Sequence, residues 1–362
     1  MKKLKLNKAL RIFFSNALKI TISSPGQAFS FLKTLVWMGR AARLRAKWKK
    51  QDVHVPPIII FSVTHQCNME CRGCYDRSFH AEDEEEIDDE KLRAIVQEAK
   101  ELGVSFFVIA GGEPFMRPAL LDVTQDFPEI IFLVFTNGVL IKDKEIRALK
   151  KQKHVIPLVS LEGSEQDTDQ RRGEGTFRAV QVLLGEMKRE GIFFGTSLTL
   201  TRHSFPTILD QEYIHNLVEA KSRFFLFLEY TPTEEGTEDW VLSQAQRDQV
   251  PALLDSYRKR FSALFIAVPW DEEDVGGCLS AGRGFVHISA QGDLEPCPFA
   301  PFSDTNLKDM SLKEGLRSKF LSEIRKRPEL ATETGGGCVL WKERKLVSAL
   351  LESGREEGAG RA

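Results

Sequence analysis

The chain is poor in several things, and each absence narrows what it can be. Six cysteines among 362 residues are too few for a disulfide-built scaffold, and their clustering points instead to metal or redox chemistry in a reducing compartment. No run reaches the roughly 18 apolar residues of a membrane-spanning helix. The amino end lacks an apolar core followed by a small-residue cleavage site, so no secretory signal is expected and the localisation reads as cytoplasmic. No RNA- or DNA-binding motif is present, which sets nucleic acid aside as a partner. Acidic residues are missing from the first fifty positions, which hold thirteen Lys and Arg and no Asp or Glu. The remainder carries 37 basic against 52 acidic residues, a net −15 that the overall charge of −2 conceals. Such a split suggests an anionic partner for the amino end.

What is present is the composition of a soluble globular protein, 42% apolar and 28% charged, long enough for one large domain with a small one attached. Residues 1–55 contain two apolar, basic stretches separated by Ser23-Ser24-Pro25-Gly26. In the first, Leu6, Leu10, Phe13, Phe14 and Ala17 recur at helical spacing among lysines and arginines; in the second, Phe31, Leu32, Leu35, Trp37 and Met38 precede Arg40, Arg43, Arg45 and Lys47. Helices of this kind lie in a bilayer interface, giving peripheral membrane contact through residues 1–50, or dock on the protein's own core.

Pro56-Pro57 marks a boundary. Strand-like runs at 58–63, 106–110, 131–135, 155–161, 194–200 and 224–230 then alternate with helical patterns at 88–102, 117–126, 143–152, 176–190 and 207–220. Alternation predicts parallel strands with crossover helices. Six units are too few to close an eight-unit barrel, so the expected fold is α/β, a partial (β/α)6 TIM-like barrel over residues 56–230, with ligands at the carboxyl ends of its strands. Residues 231–345 read as a smaller α+β domain, with a helix near 241–260 and a hairpin around Gln291-Gly292-Asp293; residues 346–362 read as a tail. The acidic run at 81–90 reads as a solvated loop and helix start.

Three cysteines, Cys67, Cys71 and Cys74, follow the first strand. Structural zinc normally takes four ligands, and this spacing is not a usual finger. A 4Fe–4S cluster held by three thiolates instead keeps one iron open to a substrate or cofactor. This triplet resembles the signature of the radical S-adenosylmethionine (SAM) superfamily. One departure stands out: the family often has an aromatic before the third cysteine, where this chain has Gly73. Further matches follow in order. Gly111-Gly112-Glu113-Pro114 resembles the family's GGEP, Thr136-Asn137-Gly138 its TNG, and Ser160-Leu161-Glu162-Gly163 with Arg172-Gly173 its Ser-Leu-Asp-Gly…Arg-x-Gly, with Glu162 in place of Asp.

The resemblance implies SAM chelated to the open iron, one-electron cleavage of its sulfonium, and a 5′-deoxyadenosyl radical that abstracts hydrogen from an unactivated carbon. It implies that Gly111 and Gly112 let the backbone approach SAM, that Glu113 accepts from its amino group, and that Ser160 and Arg172 contact its ribose or carboxylate; Pro114 and Asn137 complete the implied set. A reductant such as flavodoxin or ferredoxin is implied as well. Cys278, the hairpin leading to Cys297, and Cys338 after three glycines resemble the SPASM/Twitch extension. That resemblance implies one auxiliary iron–sulfur cluster, its fourth position taken by Asp271, Glu272 or Glu273 or left open.

The substrate is not legible. A lipid or other membrane-associated substrate is suggested by the basic amino end, and peptide or protein maturation by the SPASM/Twitch likeness, though no winged-helix peptide-recognition domain is evident. A non-catalytic iron–sulfur protein would leave Glu113, Ser160 and Arg172 without a shared purpose. No general acid or base can be singled out; Tyr213, Tyr230, His203 and His287 read as packed or surface residues.

Overall fold

The computed structural model describes residues 25–80, 85–332 and 338–359; the first amphipathic stretch, part of the acidic run, the three glycines before Cys338 and the extreme carboxyl end lie outside the described residues. A nine-stranded sheet organises the chain: β1 (Ile58–Ser62), β2 (Phe106–Ala110), β3 (Ile131–Thr136), β4 (Val155–Leu161), β5 (Phe194–Leu200), β6 (Ser222–Glu229), β7 (Leu264–Val268), β8 (Phe285–Ile288) and β9 (Leu294–Glu295). Their spatial order is β7-β6-β5-β4-β3-β2-β1-β8-β9. Every neighbouring pair is parallel except β8 and β9. The six expected strand–helix units are all there, open rather than closed.

The crossover helices form for local reasons. In Asp89–Leu102, Leu92, Ile95, Val96, Ala99 and Leu102 bury one stripe, and the Asp88 carboxylate accepts from Lys91 N at 2.7 Å. Each large aliphatic on that stripe contributes about 1.5–3 kcal/mol of burial, and the cap about 1 kcal/mol more. β4, inside the sheet, is nearly all apolar and is buried along almost its whole length.

Two features bear on the expected divisions of the chain. The boundary at 231 is no break in the sheet: β7 pairs with β6 from Phe224↔Leu264, and β8 pairs with β1 from Ile58↔Phe285. Exposed strand edges are covered this way, and the short runs at 264–268 and 285–288 are apolar enough to serve. The region read as a tail from 346 is largely the helix Arg344–Ala359, with Val347, Leu350 and Leu351 buried.

The basic helix Pro25–Lys49 docks on the protein itself. Trp37 and Ala41 are buried, and Arg45 turns inward to the Gly103 carbonyl and to Ser105 Oγ. Val36, at 70% exposure, and Arg40, Arg43 and Lys47 face outward. Among the described residues no helix is long and apolar enough to cross a membrane.

Candidate active site

Strand ends β1 to β4 converge on the loop bearing Cys67, Cys71 and Cys74, all three half-buried and free of disulfides. The thiols sit within electrostatic reach of one another. Burial, then the charges of Cys71, Glu113 and Cys74, pushes the Cys67 thiol up to about 11. Burial also raises Cys74. Alone these groups stay protonated at neutral pH; a bound cation favours the thiolate, and the charge of the metal is what such a loop requires.

Zinc–thiolate bonds of about 2.3 Å hold tetrahedral sulfurs roughly 3.8 Å apart. Among the described residues only His65, Asp76 and His80 bring three ligand-type atoms within 4.8 Å of one another, so neither cysteine trio is drawn that tightly. In this group the two histidines pack on one another. Their rings stack at 3.9 Å and 16°, which aims their lone pairs in parallel planes. His65 places Nδ1 2.9 Å from Asp76 Oδ1 and Nε2 2.9 Å from Gln291 Oε1, tying the cysteine loop to the β8–β9 turn. Burial opposes charge on His65, but Asp76 outweighs it and raises its pKa.

The strand-end motifs assemble around this loop and make contacts within the protein. A Cβ on Gly111 would fall 2.1 Å from Thr64 O, and one on Gly112 would fall 2.2 Å from Gln66 O. Gly112 N and Glu113 N donate to those carbonyls, each at 2.8 Å. The glycines therefore admit the protein's own backbone, fastening the end of β2 to the segment that opens the cysteine loop. Glu113 is 1% exposed. Its carboxylate accepts from Thr136 Oγ1 at 2.8 Å, Asn137 N at 2.7 Å and Phe115 N at 3.1 Å, which clamps β2 to β3. Burial raises its pKa while these donors and Arg172 oppose the rise. Pro114 is buried and opens a short 3₁₀ turn behind it.

Asn137 Nδ2 donates to Asn68 Oδ1 at 2.8 Å, so the TNG turn holds the cysteine loop directly. Ser160 is buried at the carboxyl end of β4. Arg172 gives Nε and Nη2 to Glu162 Oε1 at 2.8 and 2.6 Å, while Arg171 Nη1 lies 2.7 Å from Glu162 Oε2. Burial alone would lower the Arg172 pKa; Glu162 reverses that, with Cys71 and Cys74 adding to the rise. Arg172 thus stands beside the thiols, already paired with Glu162. Gly73 has a steric cause here: a Cβ there would lie 2.3 Å from the Tyr230 hydroxyl.

Cys278 and Cys297 are buried and Cys338 is half-buried. Cys297 and Cys338 are hydrogen-bonded, and that contact together with burial raises the Cys297 thiol well above its usual range. Cys278 lies in electrostatic reach of both, and burial raises it too. Aromatic pairs join the two trios: Tyr75 with Phe299 at 5.1 Å and Phe79 with Trp341 at 5.2 Å.

The side chains doubted as acids or bases are structural. His287 lies between Ser62 Oγ at 2.8 Å and Glu295 Oε2 at 2.6 Å. His203 is exposed near Asp239, and burial raises the Tyr213 phenol. Asn68, Gln291 and Glu86, whose Oε1 accepts from Thr64 Oγ1 and His65 N at 2.8 Å each, escaped the sequence reading. Asn68 lay inside the cysteine motif and was open to notice; the others act across the sheet and leave no local signal.

Residues 61–211 match the family model described as the radical SAM superfamily. The chain carries a radical SAM domain. Fe-coproporphyrin III synthase of Methanosarcina barkeri is 29% identical over 213 residues, 56% of this chain and only 52% of that protein. AdoMet-dependent heme synthase of Nitratidesulfovibrio vulgaris is 23% identical over 318 residues, 78% of this chain and 86% of that one. Among solved structures, Streptococcus suis SuiB bound to its precursor peptide SuiA has a TM-score of 0.63 at 20% identity, covering 80% of this chain and 71% of SuiB, a likeness of fold. Residues 61–211 are thus a domain of the radical SAM enzymes, a class that uses a 4Fe–4S cluster and SAM.

Proposed function

We propose that this enzyme holds its SAM-binding 4Fe–4S cluster on Cys67, Cys71 and Cys74, and that it acts on a substrate presented at a membrane surface. The carrying observation is the convergence of three strand-end motifs on one cysteine loop through Glu113, Asn137 and the Gly111–Gly112 approach. When bound, the cluster and SAM supply one-electron cleavage of the sulfonium and a radical able to take hydrogen from an unactivated carbon. The chain's own residues orient the loop. Gly111, Gly112, Glu113, Pro114 and Asn137 fix its shape, while Ser160 and Arg172 offer polar groups toward SAM. A flavodoxin- or ferredoxin-type protein is the proposed electron donor. Anaerobically reconstituted protein given dithionite and SAM is expected to form 5′-deoxyadenosine. No product from protein with intact clusters would refute the reading.

The region 231–345 is proposed as a SPASM/Twitch-like unit with one auxiliary cluster on Cys278, Cys297 and Cys338. Of the three acidic candidates for its fourth position, Asp271 is held by Arg258 at 2.8 and 2.6 Å and by Ala267 N at 2.8 Å. Glu273 is exposed. Glu272 is buried, accepts from Leu279 N at 3.3 Å and raises the neighbouring Cys278, so it is the proposed ligand.

The membrane reading rests on the outward face of Pro25–Lys49, where Val36, Arg40, Arg43 and Lys47 lie without an acidic neighbour on the helix. Cytoplasmic, peripheral attachment follows from it. Each basic residue near an anionic surface contributes about 1 kcal/mol. Changing Arg40, Arg43 and Lys47 to Glu is expected to lower partitioning onto phosphatidylserine-containing vesicles by at least roughly 100-fold. Charge reversal is preferable to deletion because Trp37 and Ala41 are part of the core. Unchanged flotation would remove the membrane reading. A second reading, peptide maturation, is favoured by the likeness to SuiB, which is seen with a precursor peptide.

A further inference from the structure

We propose that residues 230–240, running on from the end of β6, form a positioning strap for the cysteine loop, with Tyr230 and Glu234 as its two working contacts. The inference rests on reading Cys67, Cys71 and Cys74 as ligands of the SAM-binding cluster. Gly73 lies between Arg72 and Cys74 at φ +64°. A Cβ at that position would meet the Tyr230 hydroxyl at 2.3 Å and its ring at 3.0 Å. A side chain at 73 and the ring at 230 therefore compete for one space.

Tyr230 cannot readily yield it. The residue is 3% exposed. Its hydroxyl donates to Thr237 Oγ1 at 2.8 Å, its ring packs on Trp240 at 5.4 Å, and the Arg171 guanidinium lies 5.7 Å over it. Gly73 N donates to Glu234 Oε2 at 2.6 Å. Arg72 adds a guanidinium 5.3 Å over Trp240. Between its second and third cysteines the loop is thus held by an aromatic wall and a carboxylate, both from one strap.

This arrangement sets charge as well as shape. The Gly73 N–H is committed to Glu234 and so withheld from cluster sulfur, and a carboxylate is fixed beside the residue that precedes Cys74. Hydrogen bonds to sulfur and local net charge both tune a cluster's potential. The strap keeps that potential low.

The test uses the full chain, reconstituted anaerobically, with circular dichroism to confirm folding. Gly73→Ala is expected to lose the SAM-induced change in the electron paramagnetic resonance spectrum of the reduced cluster. Adding Tyr230→Gly to it restores part of that change, because the space is then free while the left-handed backbone at 73 still strains alanine. Glu234→Gln, which keeps an acceptor oxygen but removes the charge, retains iron and moves the midpoint potential upward. A Gly73→Ala variant with the wild-type SAM response, a folded double variant no better than the single, or an unmoved potential in Glu234→Gln overturns the inference. Wild-type protein whose cluster ignores SAM would instead sink the functional reading beneath it.

Discussion

Replacing Glu162 by Gln removes one charge from a buried triad whose Arg171, Arg172 and Glu162 side chains are 14%, 12% and 2% exposed. Removing one partner of a buried pair costs about 3–5 kcal/mol, because the remaining charge is left uncompensated. Gln still offers an oxygen to one guanidinium, and both arginines keep some solvent, so the lower end applies, about 3 kcal/mol. At about 1–2 °C per kcal/mol for a fold of this size, the melting temperature should fall by roughly 3–6 °C. Urea unfolding followed by circular dichroism at low and high salt measures it. Glu162→Asp keeps the charge and should lose far less. The freed Arg172 also stands beside Cys71 and Cys74, so the Gln variant is expected to carry a changed cluster potential. A loss under about 1 kcal/mol, or one that high salt abolishes, would show a screened surface pair and refute the reasoning.

Replacing any one of Cys67, Cys71 or Cys74 by Ala should abolish 5′-deoxyadenosine formation measured by mass spectrometry. Cys278→Ala or Cys297→Ala should lower the iron content and leave uncoupled SAM cleavage. Glu113→Gln turns an acceptor into a donor facing Thr136, Asn137 or Phe115, leaving at least one buried donor unpaired at about 1–3 kcal/mol; a lower melting temperature and weaker SAM binding by calorimetry are expected. His154 supplies a pH test away from the site. Burial holds its pKa below the usual range despite the bond its Nε2–H donates to Thr124 O at 2.8 Å. The unfolded chain takes up this proton first, so the contribution is whole above pH about 6.5 and is lost as pH falls toward the folded pKa. Denaturant melts of His154→Gln should lack this slope, at most about 1.4 kcal/mol per pH unit.

Local pattern carried much of the fold. The runs at 106–110, 155–161 and 194–200 are strands β2, β4 and β5 over those same residues, because the sheet is buried and apolar β-branched runs announce it. The cysteine triplet and the strand-end motifs were legible because each is one short segment whose neighbours in sequence are also its neighbours in space. What the sequence did not show was which partners these residues meet within the protein. The glycines of 111 and 112 meet the backbone of 64–66, Arg172 meets Glu162, and Gly73 meets a tyrosine that lies beyond five intervening strands in the chain.

What the sequence determined alone was the chemistry available: three thiols on one loop, and a strand–helix rhythm that sets that loop at the carboxyl edge of a parallel sheet. What only the tertiary structure decided was which partners those residues meet. Pairing β8 with β1 brings Gln291 to His65 and Cys297 near Tyr75, and gathering Cys278, Cys297 and Cys338 needed the whole carboxyl region to wrap back. Such contacts depend on the closure of long loops around a common core, and no local pattern in the chain encodes the distance between residues it separates so widely.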